Sequence, residues 1–223
     1  MKARSILPLA LLLALSAPTA EPERVVVTSS SPAGWHWTSS EGAAGGFARE
    51  PAQPPLGEGS AFFRSEDGGA ASLGADLLAG TPLARITELS YSTFSEDGSA
   101  VSLQLKVTYQ DDPGGEHWLT YTPAASSLSP DEWQTWDAHR GLWSFPTGYA
   151  YCAFPEACTW GQLEVFYAQL SLAGGGDTLR LALRGKGSAS ADALSIAAEE
   201  KGSSTFDFEP DSPPQTVYVD PQW

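Results

Sequence analysis

The chain has 223 residues, and its 27 Asp and Glu residues outnumber its 12 Lys and Arg residues, which gives a formal net charge of −15. A chain this acidic repels nucleic acid backbones and anionic membranes, which excludes both as default partners. The length suits a leader followed by one domain, because all-β sandwiches often reach about 200–250 residues as a single unit.

Residues 1–20 have the pattern of a secretory signal peptide. Lys2 and Arg4 give a basic start, Ile6–Leu15 is a nearly unbroken apolar run, and small residues precede a cleavage site near Ala20. The apolar run is too short for a permanent membrane anchor. We therefore expect a secreted protein, extracellular or periplasmic, whose mature chain keeps 10 Lys and Arg against 27 Asp and Glu, a net charge of −17.

Residues 21–209 predict an all-β domain, a single antiparallel β-sandwich of jelly-roll type, because short alternating runs are separated by turn residues. A Pro-rich flexible tail is expected over 210–223. In chain order, the predicted strands are Arg24–Thr28, Gly34–Thr38, Gly45–Arg49, Ser60–Ser65, Ile86–Phe94, Val101–Tyr109, Glu116–Thr122, a strand around Trp133–Asp137, Leu142–Phe145, Leu179–Leu183, Asp192–Ile196 and Thr205–Phe208.

A nine-residue motif occurs twice. Ser65–Leu73 and Ser95–Leu103 agree at seven of nine positions, and both contain Ser-Glu-Asp-Gly. Their flanks differ, which favours reuse of one Asp-Gly turn over a duplicated domain. The second copy predicts a hairpin between Ile86–Phe94 and Val101–Tyr109, since Asp-Gly supplies the positive φ angles that tight hairpins need.

The alternation in Val101–Tyr109 gives one apolar and one polar face. Gln104 and Lys106 lie on the polar face, and in the predicted partner strand Glu88 is placed there with Ser90 and Ser92. In the next strand Leu119 and Tyr121 point inward, so Trp118 falls on the polar side with Thr120. A tryptophan among hydroxyls and amides on a sheet face is a candidate binding residue.

The segment Trp133–Trp143 holds three of the eight tryptophans. Strand geometry sends Trp133 and Trp136 to opposite faces, because strand side chains alternate. One of the two is therefore expected in the core and the other exposed or covered by a loop.

Cys152 and Cys158 are the only two cysteines of a chain with a secretory leader. Their spacing favours a structural disulfide over a zinc site or a redox motif. Immediately afterwards, Thr159 and Gln162 have the spacing of a capping box, which predicts a short helix. Its apolar stripe is Leu163, Phe166, Tyr167 and Leu170.

Several short motifs spread over the chain resemble an uncharacterised family of exported bacterial proteins, many of which carry a C-terminal sorting tail that this chain lacks. The matching pieces are Val25–Thr28 with Gly34 and Trp35, Pro54–Ala61, Leu89–Phe94, Trp133–Asp137, Cys158–Trp160 and Asp192–Ile196. The resemblance implies a jelly-roll-like β-sandwich, similar in outline to carbohydrate-binding modules, and no established activity.

The candidate ligand-binding set is therefore Trp118, Gln104, Lys106, Glu88 and Trp136. An aromatic ring against sugar C–H groups, with planar polar side chains for the hydroxyls, suits a neutral glycan. The alternative is that the helix near 160–170 or the cysteine loop covers this face and the tryptophans are its packing, since large aromatic side chains are usually buried.

No cofactor is expected, and a structural calcium ion is the one metal that the sequence leaves open. Asp192 is the weak candidate, and ordinary turn aspartates are the favoured reading of the others near turns, which are Asp67, Asp97, Asp111, Asp112 and Asp131. No catalytic motif is present. A carboxylate pair such as Glu88 and Asp137 is the minimum that a polysaccharide-cleaving enzyme needs.

The leading functional prediction is a secreted, non-catalytic module that binds a neutral glycan or a cell-surface polysaccharide. The second is a structural or adhesive surface protein with no small ligand, and the third is a polysaccharide-cleaving enzyme. The sequence leaves the oligomeric state open.

Overall fold

The computed structural model describes residues 21–49, 51–66 and 68–211, so the predicted signal peptide, Asp67 and most of the predicted tail lie outside the described residues. In chain order the strands are β1 (Glu23–Val27), β2 (His36–Ser39), β3 (Ala43–Ala48), β4 (Ser60–Ser65), β5 (Ala70–Ala75), β6 (Ile86–Phe94), β7 (Ser102–Tyr109), β8 (Asp112–Tyr121), β9 (Gln134–Asp137), β10 (Leu142–Ser144), β11 (Cys158–Thr159), β12 (Ser171–Leu172), β13 (Leu179–Arg184), β14 (Gly187–Ala198) and β15 (Gly202–Phe208), and the helix α1 (Trp160–Phe166) lies between β11 and β12.

These strands form two sheets, which confirms the predicted all-β sandwich with one short helix. In the first sheet the order is β9-β6-β14. The other side of β14 pairs with β4 along its first half and with β15 along its second half. β3 lies beyond β4, and β1 lies beyond β15. The second sheet has the order β11-β10-β8-β7-β13-β5-β2, with β12 beside β7. No helix of the described residues has the length and apolar character needed to cross a membrane.

One strand pair departs from the predicted antiparallel arrangement. β1 runs parallel to β15, with Val25 opposite Phe206. A parallel pair needs a long connection between its strands. Here nearly the whole domain separates the two strands, so no tight turn imposes the antiparallel direction.

The core lies between the sheets and is built from the predicted inward faces. On β7, Leu103, Leu105 and Val107 are fully buried, and on β6 Leu89 and Tyr91 are fully buried as well. The buried phenol of Tyr91 donates to the carbonyl of Val101 at 2.7 Å. Period-two alternation therefore located the core residues correctly on both strands.

The predicted hairpin between β6 and β7 is wrong. β6 pairs with β14 and β9 in the first sheet, whereas β7 pairs with β8 and β13 in the second. Gly98 has a positive φ of 75° but Asp97 does not, and a two-residue type I′ hairpin needs positive φ at both central residues. The Asp97 carboxylate instead accepts hydrogen bonds from the amides of Ser99 and Ser188.

The repeated motif therefore marks two crossings from the first sheet to the second. The first copy carries the chain from β4 to β5 and the second from β6 to β7. Both crossings lie at one end of the sandwich, because Gly69 accepts a hydrogen bond from Gly185 and Asp97 accepts one from Ser188. Reuse of one turn, rather than a duplicated domain, agrees with this placement.

The tryptophans of segment 133–143 divide as strand geometry predicts. Trp136 lies opposite Tyr91, packs against the core and donates through Nε1 to the hydroxyl of Thr93 at 2.7 Å. Trp133 precedes β9, lies against Phe94 and donates to the carbonyl of Pro51 at 3.2 Å, so a loop covers it.

The helix α1 begins with the predicted capping box. The Thr159 hydroxyl accepts from the Gln162 amide, and the Gln162 side chain accepts from the Thr159 amide. Leu163 and Trp160 are buried, but the predicted stripe is wrong at Phe166, which is 40% exposed and stacks on Tyr151. The helix ends at Phe166, so this side chain lies at the rim of the core rather than inside it.

The predicted disulfide is present, with a Cα–Cα distance of 5.3 Å between Cys152 and Cys158. It joins the loop that follows β10 to β11, and both cysteines are buried. The bridge restricts the unfolded chain and so raises the relative stability of the fold.

Replacing both cysteines by serine is expected to lower the free energy of unfolding by about 2–3 kcal/mol, the value for a loop this short. Urea unfolding under non-reducing conditions measures the change. Ala157→Ser, an exposed change in the same loop, is the control and is expected to have no measurable effect. A double variant as stable as the unaltered protein contradicts the prediction.

Candidate functional site

The outward side chains of β8, β7, β13, β5 and β2 form one continuous polar surface, called here the outer face of the second sheet. Strand register aligns these side chains in rows across the strands. One row contains Thr120, Gln104, Arg180, Gly74 and His36. The neighbouring row is lined by small residues, which are Thr122, Ser102, Ala182, Ser72 and Thr38.

Trp118 lies at one side of this face, opposite Lys106 on β7. The guanidinium carbon of Arg180 is 3.6 Å from the centre of the Trp118 ring, and Lys106 Nζ is 5.8 Å from it. A cation over an indole face is attracted by the ring's electrons. Trp118 is therefore partly buried and held in place by Arg180, and is not a free-standing exposed ring.

A chain of hydrogen bonds fixes the arginine. Arg180 Nε donates to Gln104 Oε1 at 2.5 Å, and Gln104 Nε2 donates to the Thr120 hydroxyl at 3.1 Å. Gln104 is itself buried, although it lies on the polar face. Its amide orientation therefore sets where the guanidinium lies over Trp118.

Burial lowers the pKa of Arg180 to about 10, with a further lowering from the charge of Arg184 and an opposing effect of Asp177. The guanidinium stays charged at neutral pH. Asp177 Oδ1 lies 2.9 Å from His36 Nε2, at the β2 side of the face.

The Lys106 ammonium group contacts a carboxylate and a backbone carbonyl. Its Nζ lies 3.2 Å from Glu116 and 3.3 Å from the carbonyl of Gly175. The lysine charge is thus paired locally, and it contributes to the face mainly through its position beside Trp118.

The helix does not lie over this face but packs into the edge of the core. Trp160 contacts Trp143 and His139 and donates to the carbonyl of Leu83, and Tyr167 packs on Phe145. The cysteine loop lies in the same region, because Tyr151 in that loop stacks on Phe166.

Of the five residues predicted to bind ligand, the structure brings together Trp118, Gln104 and Lys106. Glu88 and Trp136 belong to the first sheet, because the chain crosses between the sheets after β6. Trp136 faces the core, and Glu88 is exposed on the opposite side of the molecule.

Glu88 and Asp137 share the outer face of the first sheet, where a cavity of about 780 Å³ lies. Asp137 pairs with Ser90 on β6, so Glu88 is its diagonal neighbour. The pair lies across the sandwich from Trp118. Trp160 also lines the cavity, but this residue is only 7% exposed.

Asp192 is fully buried in the first sheet, under the loop that contains Leu56. Its two oxygens accept hydrogen bonds from the amides of Leu56 and Phe208, at 3.0 and 3.1 Å. Burial raises its pKa to about 7. Within the described ranges no three His, Cys, Asp or Glu side chains converge as metal ligands, and calcium at Asp192 stays a prediction.

Arg180 and Arg184 are the two arginines of this face, and neither was predicted to belong to it. Arg180 alternates with Leu179, Leu181 and Leu183, which places it on the polar face of its own strand. The missing information was the neighbour of β13, because pairing between residues 104 and 180 spans more than seventy positions and leaves no local signal.

Neither a family model nor a curated protein matches the chain. Among solved structures, the chain is similar to a family 11 carbohydrate-binding module of the cellulosomal cellulase Lic26A-Cel5E of Clostridium thermocellum, with 11% sequence identity, a TM-score of 0.43, and 74% of this chain and 88% of that chain covered. It is also similar to the CBM22-1 xylan-binding domain from Paenibacillus barcinonensis Xyn10C, with 17% identity, a TM-score of 0.39, and coverage of 73% and 85%. The likeness concerns the β-sandwich fold alone.

Proposed function

We propose that the protein is an exported, non-catalytic module that binds a glycan on the outer face of the second sheet. The observation that carries the proposal is the fixed arrangement of Trp118, Arg180 and Gln104 on a face that the helix leaves free. N-terminal sequencing of the exported protein checks the export step, with a first residue near Glu21 expected.

The chemistry of the face suits a sugar chain. Sugars present C–H groups that pack against aromatic rings, and hydroxyls that bond to planar amides, guanidinium groups and other hydroxyls. Trp118 supplies the ring and Arg180 supplies a planar polar group beside it, while the buried Gln104 holds the guanidinium in place. Since Gln104 and Arg180 are already fixed by each other, little side-chain entropy is lost when a ligand binds.

The row of small residues next to Arg180 supports an elongated ligand. Side chains from Thr122 to Thr38 in that row are hydroxyls or a methyl group, and Ser102 and Thr122 bond to each other at 2.8 Å. Arg180 and Arg184 flank this row at β13, and the row, called here the trough, crosses five strands. Neighbouring strands are about 4.8 Å apart, which gives the trough a length of roughly 20 Å, enough for several sugar rings.

Trp118→Ala is expected to weaken glycan binding at least tenfold, because it removes the ring and the support of Arg180. Isothermal titration calorimetry against neutral and cell-surface oligosaccharides, chosen from a glycan array, measures the change. Trp133→Ala is the matched control, since Trp133 is a partly buried tryptophan on the first sheet. Absence of binding to every glycan, or equal affinity of the Trp118 variant, refutes the proposal.

A structural or adhesive surface role is the second candidate, and one observation favours it. Five of the six exposed large apolar side chains among the described residues lie around the cysteine loop and α1: Leu142, Tyr151, Phe154, Val165 and Phe166. If this corner is adhesive, Phe154→Ser with Phe166→Ser reduces self-association in analytical ultracentrifugation, while Trp118→Ala leaves it unchanged. A protein that is monomeric at every concentration rules out self-adhesion through this corner.

A further inference from the structure

Positive charge without a carboxylate partner is concentrated on one strand of this acidic protein. The described residues contain ten Lys and Arg, and six of them form ion pairs with Asp or Glu. Among the described residues, the four without such a pair are Arg180, Arg184, Lys186 and Lys201. Three of these four lie within seven consecutive positions, on β13 and the turn that follows it.

Arg180 and Arg184 both point to the outer face of the second sheet. They line a depression of about 210 Å³ together with Thr38, Ser39, Ser40, Ala70, Ser72 and Ala182. The floor is made of small side chains, because Ala182 lies between the two arginines and faces Ser72 across the strand pair. Arg184 and several hydroxyls thus line a space that no large side chain fills. Arg180 borders this space, while its guanidinium lies over Trp118 on the other side of β13.

The electrostatics of the depression favour an anion. Arg184 lowers the pKa of Arg180, so the two charges repel each other in the free protein. The negative charge of Asp177 opposes this effect, and its Oδ1 lies 2.9 Å from His36 Nε2. A ligand carboxylate placed in the depression relieves the repulsion and forms charge-assisted hydrogen bonds with a guanidinium.

We propose that the glycan is acidic and that the carboxylate of a uronic acid residue binds in the depression, with Arg184 as its principal partner. This inference rests on the proposed function and names the ligand class. The depression opens onto the trough of small side chains, so neighbouring sugar rings continue from Arg184 across β13 and β7 toward Trp118. The proposed acidic glycan replaces the neutral ligand that the aromatic and polar side chains of the predicted face suggested, because that prediction did not include Arg184.

The test compares oligogalacturonate and oligomannuronate with their methyl esters, which keep the rings and remove the negative charge. At least one free acid is expected to bind tenfold or more tightly than its ester, and added salt is expected to weaken the free acid only. Arg184→Gln is expected to abolish the preference for the acid while binding of the ester is retained. Lys201→Gln, an exposed cation that faces away on the first sheet's β14–β15 turn, is the control for net charge and is expected to keep the preference.

The outcomes separate this inference from the proposed function. If the esters bind as tightly as the acids in a Trp118-dependent manner, glycan binding stands and the acidic specificity falls. If Arg184→Gln keeps the preference, the assigned site is wrong. If inorganic sulfate binds as tightly as the oligomers, the depression is a simple anion site, and the glycan carboxylate is not its ligand. If no acid, ester or other glycan binds, both proposals fall.

Discussion

Trp143→Ala is expected to destabilise the protein by about 3–5 kcal/mol, the range for truncation of a buried large aromatic side chain. Trp143 is fully buried between the sheets, and its ring packs 5.6 Å from the rings of both Tyr121 and Trp160. Its Nε1 donates to the carbonyl of Ala138 at 2.8 Å. Truncation therefore leaves a cavity and removes one of the two hydrogen bonds that the Ala138 carbonyl accepts, the other coming from the Gly141 amide.

Two controls separate these contributions. Trp143→Phe refills most of the cavity but lacks the donor, so it is expected to cost about 1–3 kcal/mol. Leu142→Ala alters the adjacent residue, which is 56% exposed, and is expected to change stability by less than about 0.5 kcal/mol. Urea unfolding followed by circular dichroism measures all three variants. A Trp143→Ala loss below about 1 kcal/mol contradicts the packing described for this residue.

Local patterns predicted the elements well. Alternation identified the inward faces of β6 and β7, and the capping box located the start of α1 at Thr159. Both signals act within a few residues, through side-chain alternation and through orphan amides at a helix end. Both features can therefore be found without knowledge of the tertiary structure.

Strand pairing was not predictable in the same way. The Asp97-Gly98 turn looks like a hairpin turn, but the choice between pairing β6 with β7 and sending them to separate sheets depends on the other strands of the sandwich. The same limit applied to the candidate site. Glu88 was placed beside Gln104 because of the assumed hairpin, whereas Arg180, over seventy residues away, is the true neighbour of Gln104.

The stability of the protein is expected to fall as the pH rises from about 5 to 8, because of Asp192. Its folded pKa is raised to about 7 from an ordinary value of 3.8, chiefly by burial. Below pH 3.8 both folded and unfolded states hold the proton, so no penalty arises. Between the two pKa values only the unfolded state ionises, so the free energy of unfolding falls as the pH rises. Above the folded pKa the full loss of stability is reached, about 4 kcal/mol at 1.4 kcal/mol per pKa unit.

The charged groups around Asp192 do not reverse this sign. Asp207 carries a negative charge nearby and is paired with Arg24 at 2.6 Å. Burial raises the pKa of Asp97, but the hydrogen bonds that its carboxylate accepts outweigh this effect and lower the pKa; accepted hydrogen bonds also lower the pKa of Asp211. Stability linked to these two groups is lost only below about pH 4. Among the described groups with a shifted pKa, Asp192 is therefore the one that titrates between pH 5 and 8.

Asp192→Asn removes the titration and is expected to flatten the profile between pH 5 and 8. The amide keeps an acceptor for one backbone N–H but turns a donor toward the other, so at pH 5 the variant is expected to lose about 1–3 kcal/mol. At pH 8 the difference from the unaltered protein shrinks or changes sign. Asp111→Asn, a change at an exposed aspartate, is the matched control and is expected to keep the original slope.

Urea unfolding in EDTA measures the pH profile. The measurement is repeated with calcium, because a bound calcium ion holds the carboxylate ionised and removes the slope. A flat or rising profile in EDTA, or an unchanged slope in Asp192→Asn, shows that this carboxyl group is not protonated in the folded state at pH 5.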